Sequence, residues 1–237
     1  MRVTRQAKAG IGPDGAASVF NASQYGAAMI TDTERFNRAI ARFDAANAQD
    51  PNREPANGKE YPKELLYAER MSAMLDRFAP NAPETLRLAV RSQHIQRWTI
   101  PRSEYPKTPQ GYKQWRTRLM EFHAETAGAI LRDCGYDDDM TGRVQALLKK
   151  KGLKINPETQ ILEDVIDLVF LESYLVDFVA GHDEYDEAKW IDILRKTSEK
   201  MSARGRAAVL TLITLPKHLS PLVHEAMGAA GSGSAAL

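Results

Sequence analysis

The sequence has one cysteine, no long apolar run and no excess of charge of either sign. Cys134 alone can form neither an internal disulfide nor a cysteine zinc cluster. No stretch approaches the ~18 uninterrupted apolar residues that predict a transmembrane helix. The 32 basic and 31 acidic residues leave a net charge of +1, so no global field draws the chain to nucleic acid. These absences predict a cytoplasmic protein with no membrane partner and no long duplex nucleic acid partner.

The chain also lacks a Walker loop, the Rossmann glycine pattern, internal repeats and any long run of period-two alternation. Apolar residues recur instead at helical intervals, as at Phe36, Ile40 and Phe43. The segment "ETQILEDVIDLVFLESYLVDFVA" is apolar on nearly every side, which is typical of a central buried helix. The pattern therefore predicts an all-α fold with a single multi-helix domain.

Capping signals and prolines divide this domain into helices. Thr31, three residues before Glu34, has capping-box spacing, and Pro83 and Pro109 suit helix starts. A helix is predicted from Glu84 through "RSQHIQRW", a loop over "NREPANGKEYP", and a helix break near Ser202. We expect a flexible N-terminal extension over 1–30, an all-helical domain over 31–227 and a disordered tail over 228–237.

Four polar residues on apolar helix faces suggest a metal site. Each has apolar neighbours three or four positions away, so each is expected to face the core. Buried carboxylates and imidazoles are costly without partners, and two His with Asp and Glu suit Mn²⁺, Fe²⁺ or Zn²⁺. The alternative is that each is satisfied separately, as a core histidine or a carboxylate that caps a loop or pairs with arginine. The candidate metal ligands are Glu69, His94, His123 and Asp164, with Asp164 and His94 also the candidate catalytic residues.

A basic and aromatic segment begins within the helix predicted from Glu84 and continues into the loop after it. "RSQHIQRWTIPRSEYP" contains three Arg, one His and two aromatic residues in sixteen positions. Guanidinium groups suit phosphate or carboxylate, so the segment predicts an anion site. We expect His94 at the mouth of a pocket, with Arg91 or Arg97 turned to the same cavity. In the alternative, these arginines pair with acids and form surface only. The candidate substrate-binding residues are Arg91, Arg97, Trp98 and Arg102.

Four blocks show a remote resemblance to HD-type metal-dependent phosphohydrolases over about residues 60 to 180. They are "LLYAERMSAML", "LAVRSQHI", "HAETAGAILRDCGYDDDMTGRVQALLKKKG" and "ILEDVIDLV". Gln93-His94 stands where that family has a His-Asp pair, and Asp164 matches its late Asp. Glu69 replaces the first His, and His123 takes the place of an additional His. The resemblance implies an HD-like helical bundle with a divalent metal.

A closer resemblance covers about residues 33 to 215. The blocks "YPKELLYAERM", "RSQHIQRWTIPRSEYP", "WRTRLMEFHAE", "LEDVIDLVFLESYLVDF" and "SARGRAA" are similar to a family of bacterial and fungal proteins known as a domain of unknown function. This resemblance implies no activity.

The expected function is a metal-dependent enzyme, a phosphohydrolase, that acts on a nucleotide or another small phosphorylated substrate. Its divalent metal (Mn, Fe or Zn) would activate a water, and the arginines would neutralise charge in the transition state. Three alternatives stay open. They are an iron-dependent oxygenase on an HD-like scaffold, a non-catalytic module that binds a nucleotide or an RNA end, and a regulatory protein partner with a vestigial pocket.

Overall fold

The structure, a computed structural model, describes residues 30–182 and 184–229. Its regular secondary structure there consists of ten α-helices, two short 3-10 helices (Arg97–Thr99 and Arg102–Glu104), one π-helical turn and one two-stranded sheet, which confirms the prediction of an all-α domain. The helices are α1 (Thr33–Asn47), α2 (Lys63–Phe78), α3 (Glu84–Ser92), α4 (Pro109–Asp133), α5 (Asp138–Leu148), α6 (Pro157–Val169), α7 (Leu175–Ala180), α8 (Glu187–Lys200), α9 (Ala203–Thr211) and α10 (Ser220–Ala229).

The two predicted terminal segments fall almost wholly outside the described residues. Residues 1–29 of the expected extension and residues 230–237 of the expected tail are not among them. The tail was expected to begin at residue 228, whereas α10 continues to Ala229. Val223, Ala226 and Met227 are buried in the core, and their packing holds the last turns of this helix.

The predicted loop before α2 is in fact a β-hairpin. Strand β1 (Arg53–Ala56) pairs antiparallel with β2 (Lys59–Pro62), and Ala56 lies opposite Lys59. Asn57 and Gly58 connect the strands with φ of 51° and 74°, the two positive angles of a type I′ turn. The Asn-Gly pair was the available signal, but four-residue strands are too short to show alternation.

Helix α6 forms the centre of the fold, as its sequence predicts. It packs against α2, α3, α5, α8 and α9, and Leu162, Val165 and Leu168 are completely buried. The predicted continuous helix is nevertheless interrupted, because a π-helical turn over Phe170–Tyr174 separates α6 from α7. None of the helices in residues 30–182 and 184–229 is long and apolar enough to cross a membrane.

Asp164 on α6 anchors the predicted break between α8 and α9. The Ser202 backbone N–H donates to Oδ1 of Asp164 at 2.7 Å, and the Ser202 hydroxyl donates to Oδ2 at 2.6 Å. Gly205 is required beside this contact, because a Cβ there would lie 2.5 Å from Oδ1 of Asp164. The break is therefore confirmed, and this carboxylate fixes the N-terminus of α9.

Helix ends differ from the sequence prediction at α1 and α3. The N-cap of α1 is Asp32 rather than Thr31, and its side chain accepts from the Arg35 backbone N–H at 2.8 Å. Helix α3 ends at Ser92 instead of continuing to Trp98. Gln96 has a φ of 50°, and its N–H donates to the side chain of Asn47 at 2.9 Å. The basic segment therefore starts on α3 and leaves the helix after Ser92, so that Arg97 and the residues after it no longer continue a face of α3.

Candidate ligand-binding cleft

A cleft of about 1000 Å³, called the main cleft below, opens beside the turn that follows α3. Its walls come from the hairpin, the start of α2, the turn, the start of α4, the α6–α7 segment and the end of α8. The volume is in the range of pockets that hold small-molecule ligands. Its charged side chains are Arg53, Lys63, Arg97, Arg102, Arg116, Lys150, Lys200, Glu64, Glu163 and Asp167, and its aromatic ones, apart from His94, are Tyr67, Trp98, Tyr112, Trp115, Phe170, Tyr174 and Phe178.

His94 lies in the wall of the main cleft as a neutral imidazole. Its ring stacks on Tyr67 with centroids 4.1 Å apart and planes 13° from parallel. Nε2 is 3.1 Å from Nη1 of Arg97, and Nδ1 is 3.3 Å from Oε2 of Glu64. Since a guanidinium can only donate, Nε2 accepts and the proton is on Nδ1, which faces the carboxylate. Burial and the charge of Arg97 lower the pKa of His94 well below its ordinary value, which keeps the ring neutral.

Arg97 is held at the inner side of the cleft with little negative charge beside it. Its guanidinium lies 4.8 Å from the ring centre of Trp115, and its Nε is 3.8 Å from Oε1 of Glu64. Burial raises the pKa of Glu64 to about 7, although Arg97 acts in the opposite direction. Because Glu64 is then only partly ionised near neutral pH, Arg97 keeps much of its positive charge available to an anion.

Arg116 on α4 is a cation of the main cleft without a bound acid. In the part of the chain that the structure describes, its side chain donates no hydrogen bond, and no carboxylate oxygen lies within 4.0 Å of it. Burial lowers the pKa values of His94 and Lys150, and the charge of Arg116 adds to both shifts. The candidate substrate-binding set omitted it. The available signal was its position four residues after Tyr112, on one face of α4.

The main cleft is also lined by a group of lysines and acids that pair with one another. Lys150 bonds to Glu163, and Nζ of Lys200 lies 3.1 Å from Oδ1 of Asp167 and 3.5 Å from Oε1 of Glu163. Burial raises the pKa of Asp167 to about 6, and its Oδ2 is buried without a partner among the described residues. These lysines are thus paired, whereas Arg116 is not.

The structure does not bring the four predicted metal ligands together. The rings of His94 and His123 are neighbours, with centroids 5.8 Å apart, but Asp164 is bonded to Ser202 and Gln160. The predicted inward orientation of Glu69 is wrong, because the buried face of α2 carries Leu66, Met71 and Met74 and leaves Glu69 exposed. Within residues 30–182 and 184–229, no group of three or more His, Cys, Asp and Glu side chains could hold a metal ion.

The substrate-binding candidates also separate into two groups. His94, Arg97, Trp98 and Arg102 line the main cleft together. Arg91 does not join them, because both sides of its guanidinium bond to Asp44, at 2.6 and 2.7 Å. It lines a separate cavity of about 170 Å³ beside α1, α2 and α3.

Comparison with known proteins agrees with the closer of the two resemblances. A family model described as "Domain of unknown function (DUF4202)" matches residues 37–223. The matched range contains every residue that lines the main cleft. No curated protein and no solved structure matches the chain.

Proposed function

We propose a function for this chain, which belongs to the DUF4202 family, from the chemistry of its main cleft: it binds a small phosphorylated molecule, such as a nucleotide. Arg97 and Arg116 hold the phosphate. The observation that carries the proposal is Arg116, a guanidinium that lines a ligand-sized cleft and has no acceptor among the described residues. Arginine forks match phosphate oxygens in geometry as well as in charge.

The charge balance of the main cleft favours an anion. Seven basic and three acidic side chains line it, although the whole chain carries a net charge of only +1. Burial raises the pKa of Glu64 to about 7, so this carboxyl group carries only part of its negative charge near neutral pH. A cleft in which charges of one sign predominate and whose walls are partly apolar concentrates the electric field on a bound ligand of opposite charge.

The surroundings of Arg97 support this role. Trp115 supports the face of its guanidinium, and His94 accepts from Nη1. A side chain that is held before binding loses little conformational freedom when the ligand arrives. Trp98 and Arg102 line the same cleft and can contact the rest of the ligand.

The compartment we propose is the cytosol. Cys134 is a buried free thiol, and a reducing compartment keeps such a group intact. Phosphorylated metabolites and nucleotides are the small anions that such a cleft would meet there.

A metal-dependent phosphohydrolase, the reaction implied by the HD-type resemblance, is the second candidate. It is favoured by His123, whose Nε2 is buried without a partner among the described residues and whose ring lies beside His94. The other donors do not fit a metal in this arrangement. Both nitrogens of His94 are engaged, and Nδ1 of His123 donates to the Ile95 carbonyl at 2.9 Å. We therefore derive no catalytic step through a metal.

Metal titration tests this second candidate. Purified protein is melted with and without Mn²⁺, Fe²⁺ and Zn²⁺, beside the variant His123→Ala. A metal-dependent rise in the melting temperature that disappears in the variant supports the candidate, since a ligand of the native state adds stability. A wild-type protein that melts unchanged rejects it.

The principal proposal is tested with a pair of variants on one helix. Inorganic phosphate, pyrophosphate and AMP are titrated by calorimetry into wild type, Arg116→Met and the control Arg118→Met. Arg118 is exposed and pairs with Glu125 at 3.4 Å, away from the main cleft. We expect Arg116→Met to lose about 1.5–3 kcal/mol of affinity, the range of charge-assisted hydrogen bonds, and Arg118→Met to bind like wild type. No binding by wild type, or equal losses in both variants, would contradict the proposal.

A further inference from the structure

One wall of the main cleft carries three aromatic side chains in a row. Phe170, Tyr174 and Phe178 are spaced four residues apart along the α6–α7 segment, and all three line the cleft. We call them the aromatic stripe. None is fully buried, so each retains part of its surface for a ligand.

The stripe coincides with the π-helical turn. This turn spans Phe170–Tyr174, so it begins and ends on two members of the stripe. Turns of this kind are rare inside α-helices and occur often at functional sites. Here the π-helical turn lies where the central helix lines the cleft. The ring of Phe178 packs edge-to-face against Phe170 and Trp190, with ring centroids 5.5 and 5.6 Å apart.

Aromatic rings connect the stripe to the proposed phosphate site. His94, which accepts from Arg97, stacks on Tyr67 at 4.1 Å. Tyr67 in turn lies 5.9 Å from Tyr174. A ligand with its phosphate at Arg97 can therefore extend along these rings and place a planar group on the stripe.

A polar group at the foot of the stripe narrows the chemistry of the ligand. Asp167 precedes Phe170 by three residues on the same face of the segment, and it also lines the cleft. Its Oδ2 is buried and has no hydrogen-bond donor among the described residues. The amino group of a nucleobase supplies such a donor, whereas an alkyl chain does not.

We propose that the aromatic stripe is the base subsite of the main cleft, so that the ligand is a nucleotide with its base on Phe170, Tyr174 and Phe178 and its phosphate at Arg97 and Arg116. This inference rests on the proposed function and deepens it. All nucleobases stack on aromatic side chains, with little dependence on which base it is. Each such contact raises affinity by about tenfold or more.

The test compares ligands that share the phosphate and differ in the base. AMP, ribose 5-phosphate and inorganic phosphate are titrated by calorimetry into wild type and Phe178→Leu, with Phe170→Leu as the second variant should the first fail to fold. Phe36→Leu is the matched control, because Phe36 lines the separate small cavity. We expect wild type to bind AMP at least tenfold more tightly than ribose 5-phosphate. Phe178→Leu should lose that preference and keep its affinity for ribose 5-phosphate, and Phe36→Leu should keep both.

The outcomes separate this inference from the proposed function. Equal affinity of wild type for AMP and ribose 5-phosphate overturns the base subsite and leaves phosphate binding intact. So does an equal loss for all three ligands in Phe178→Leu, or the same loss in Phe36→Leu. If none of the three ligands binds wild type, the proposed function fails and the subsite with it. A 5′-phosphorylated trinucleotide run beside AMP distinguishes the two sources of this chemistry, since tighter binding of one or the other identifies an RNA end or a free nucleotide in the same subsite.

Discussion

Arg91 and Arg97 lie six residues apart in one basic segment, yet they belong to different parts of the molecule. The Arg91 side chain is 12 % exposed and bonds through two nitrogens to Asp44. The Arg97 side chain is 24 % exposed, and its nearest carboxylate oxygen, on Glu64, lies 3.8 Å away. One arginine fastens α3 to α1, and the other faces a cleft of about 1000 Å³.

The end of α3 between them explains the difference. Arg91 is still helical, and it points to the groove between α1 and α2, where Asp44 is available. After Ser92 the chain turns, and the left-handed Gln96 directs Arg97 toward α4. Residue type and charge are the same in both cases, so only the local backbone and the partner distinguish a structural arginine from one that is open to a ligand.

Two glutamates on α2 repeat this contrast. Glu64 is 7 % exposed and lines the main cleft beside His94, whereas Glu69 lies on the exposed face of the helix. The sequence interpretation chose Glu69, because Leu65, Leu66 and Ala73 surround it in a helical projection. The buried face is instead centred on Leu66, Tyr67 and Met71, so it passes through Glu64.

Replacing Arg91 by alanine should have the largest effect on stability. The variant leaves Asp44 half-buried without its bidentate partner, and we expect a loss of about 2–4 kcal/mol in the free energy of unfolding. Urea denaturation followed by circular dichroism measures it. The double variant Arg91→Ala/Asp44→Ala should recover part of the loss, since no unpaired charge remains. If Arg91→Ala unfolds like wild type and binds phosphate less tightly, the two arginines have been assigned the wrong way round.

Replacing Arg97 by alanine should reduce affinity instead. We expect pyrophosphate to bind about 2 kcal/mol more weakly, within the range for charge-assisted hydrogen bonds, with little change in unfolding. Calorimetry on Arg97→Ala and Arg91→Ala under identical conditions gives the comparison. If Arg91 is structural and Arg97 binds the ligand, only Arg97→Ala loses affinity for pyrophosphate. Equal affinity in wild type and Arg97→Ala would show that Arg97 is part of the wall and not of the binding site.

The sequence could predict the helices and the basic segment, because both follow from local patterns. The central position of α6 and the break at Ser202 were evident from apolar periodicity and capping residues. The roles of Asp164 and Arg91 were not, because their partners Ser202 and Asp44 lie 38 and 47 residues away in the chain. Residues that pair over such distances leave no local pattern, which is also why the unpaired state of Arg116 needed the structure.

The pH dependence of stability tests whether Glu64 is partly protonated beside Arg97. Burial raises its pKa to about 7 from an ordinary value of 4.5, so the folded protein binds more protons than the unfolded chain between these values. This carboxylate therefore contributes stability at low pH that is lost as pH rises through about 7. As the pH rises from 5 to 8, we therefore expect the free energy of unfolding of Glu64→Gln to increase relative to that of wild type by on the order of 1–2 kcal/mol.

The pH measurement is the difference in unfolding free energy between the two proteins at each pH. His94 and His123 have pKa values lowered by burial, and they oppose the trend below about pH 6.5 in wild type. Both proteins keep these histidines, so their contribution largely cancels in the difference. A difference that does not change with pH would show that Glu64 titrates normally and that Arg97 faces a full negative charge.

The smallest effect is expected for Glu69, the acid on the outer face of α2. Its side chain is exposed, and none of its atoms lines the main cleft. Glu69→Ala should therefore change the free energy of unfolding by no more than about 0.5 kcal/mol, as surface substitutions usually do. Its affinity for pyrophosphate, and any stabilisation of wild type by Mn²⁺ or Zn²⁺, should be unchanged, because a side chain on this face cannot reach His94 without unwinding α2. Melting and calorimetry beside Glu64→Gln give the paired measurement. If Glu69→Ala alone lost a metal-dependent rise in melting temperature, α2 would have to rotate and present Glu69 to the cleft. Glu69, and not Glu64, would then be the glutamate of the site.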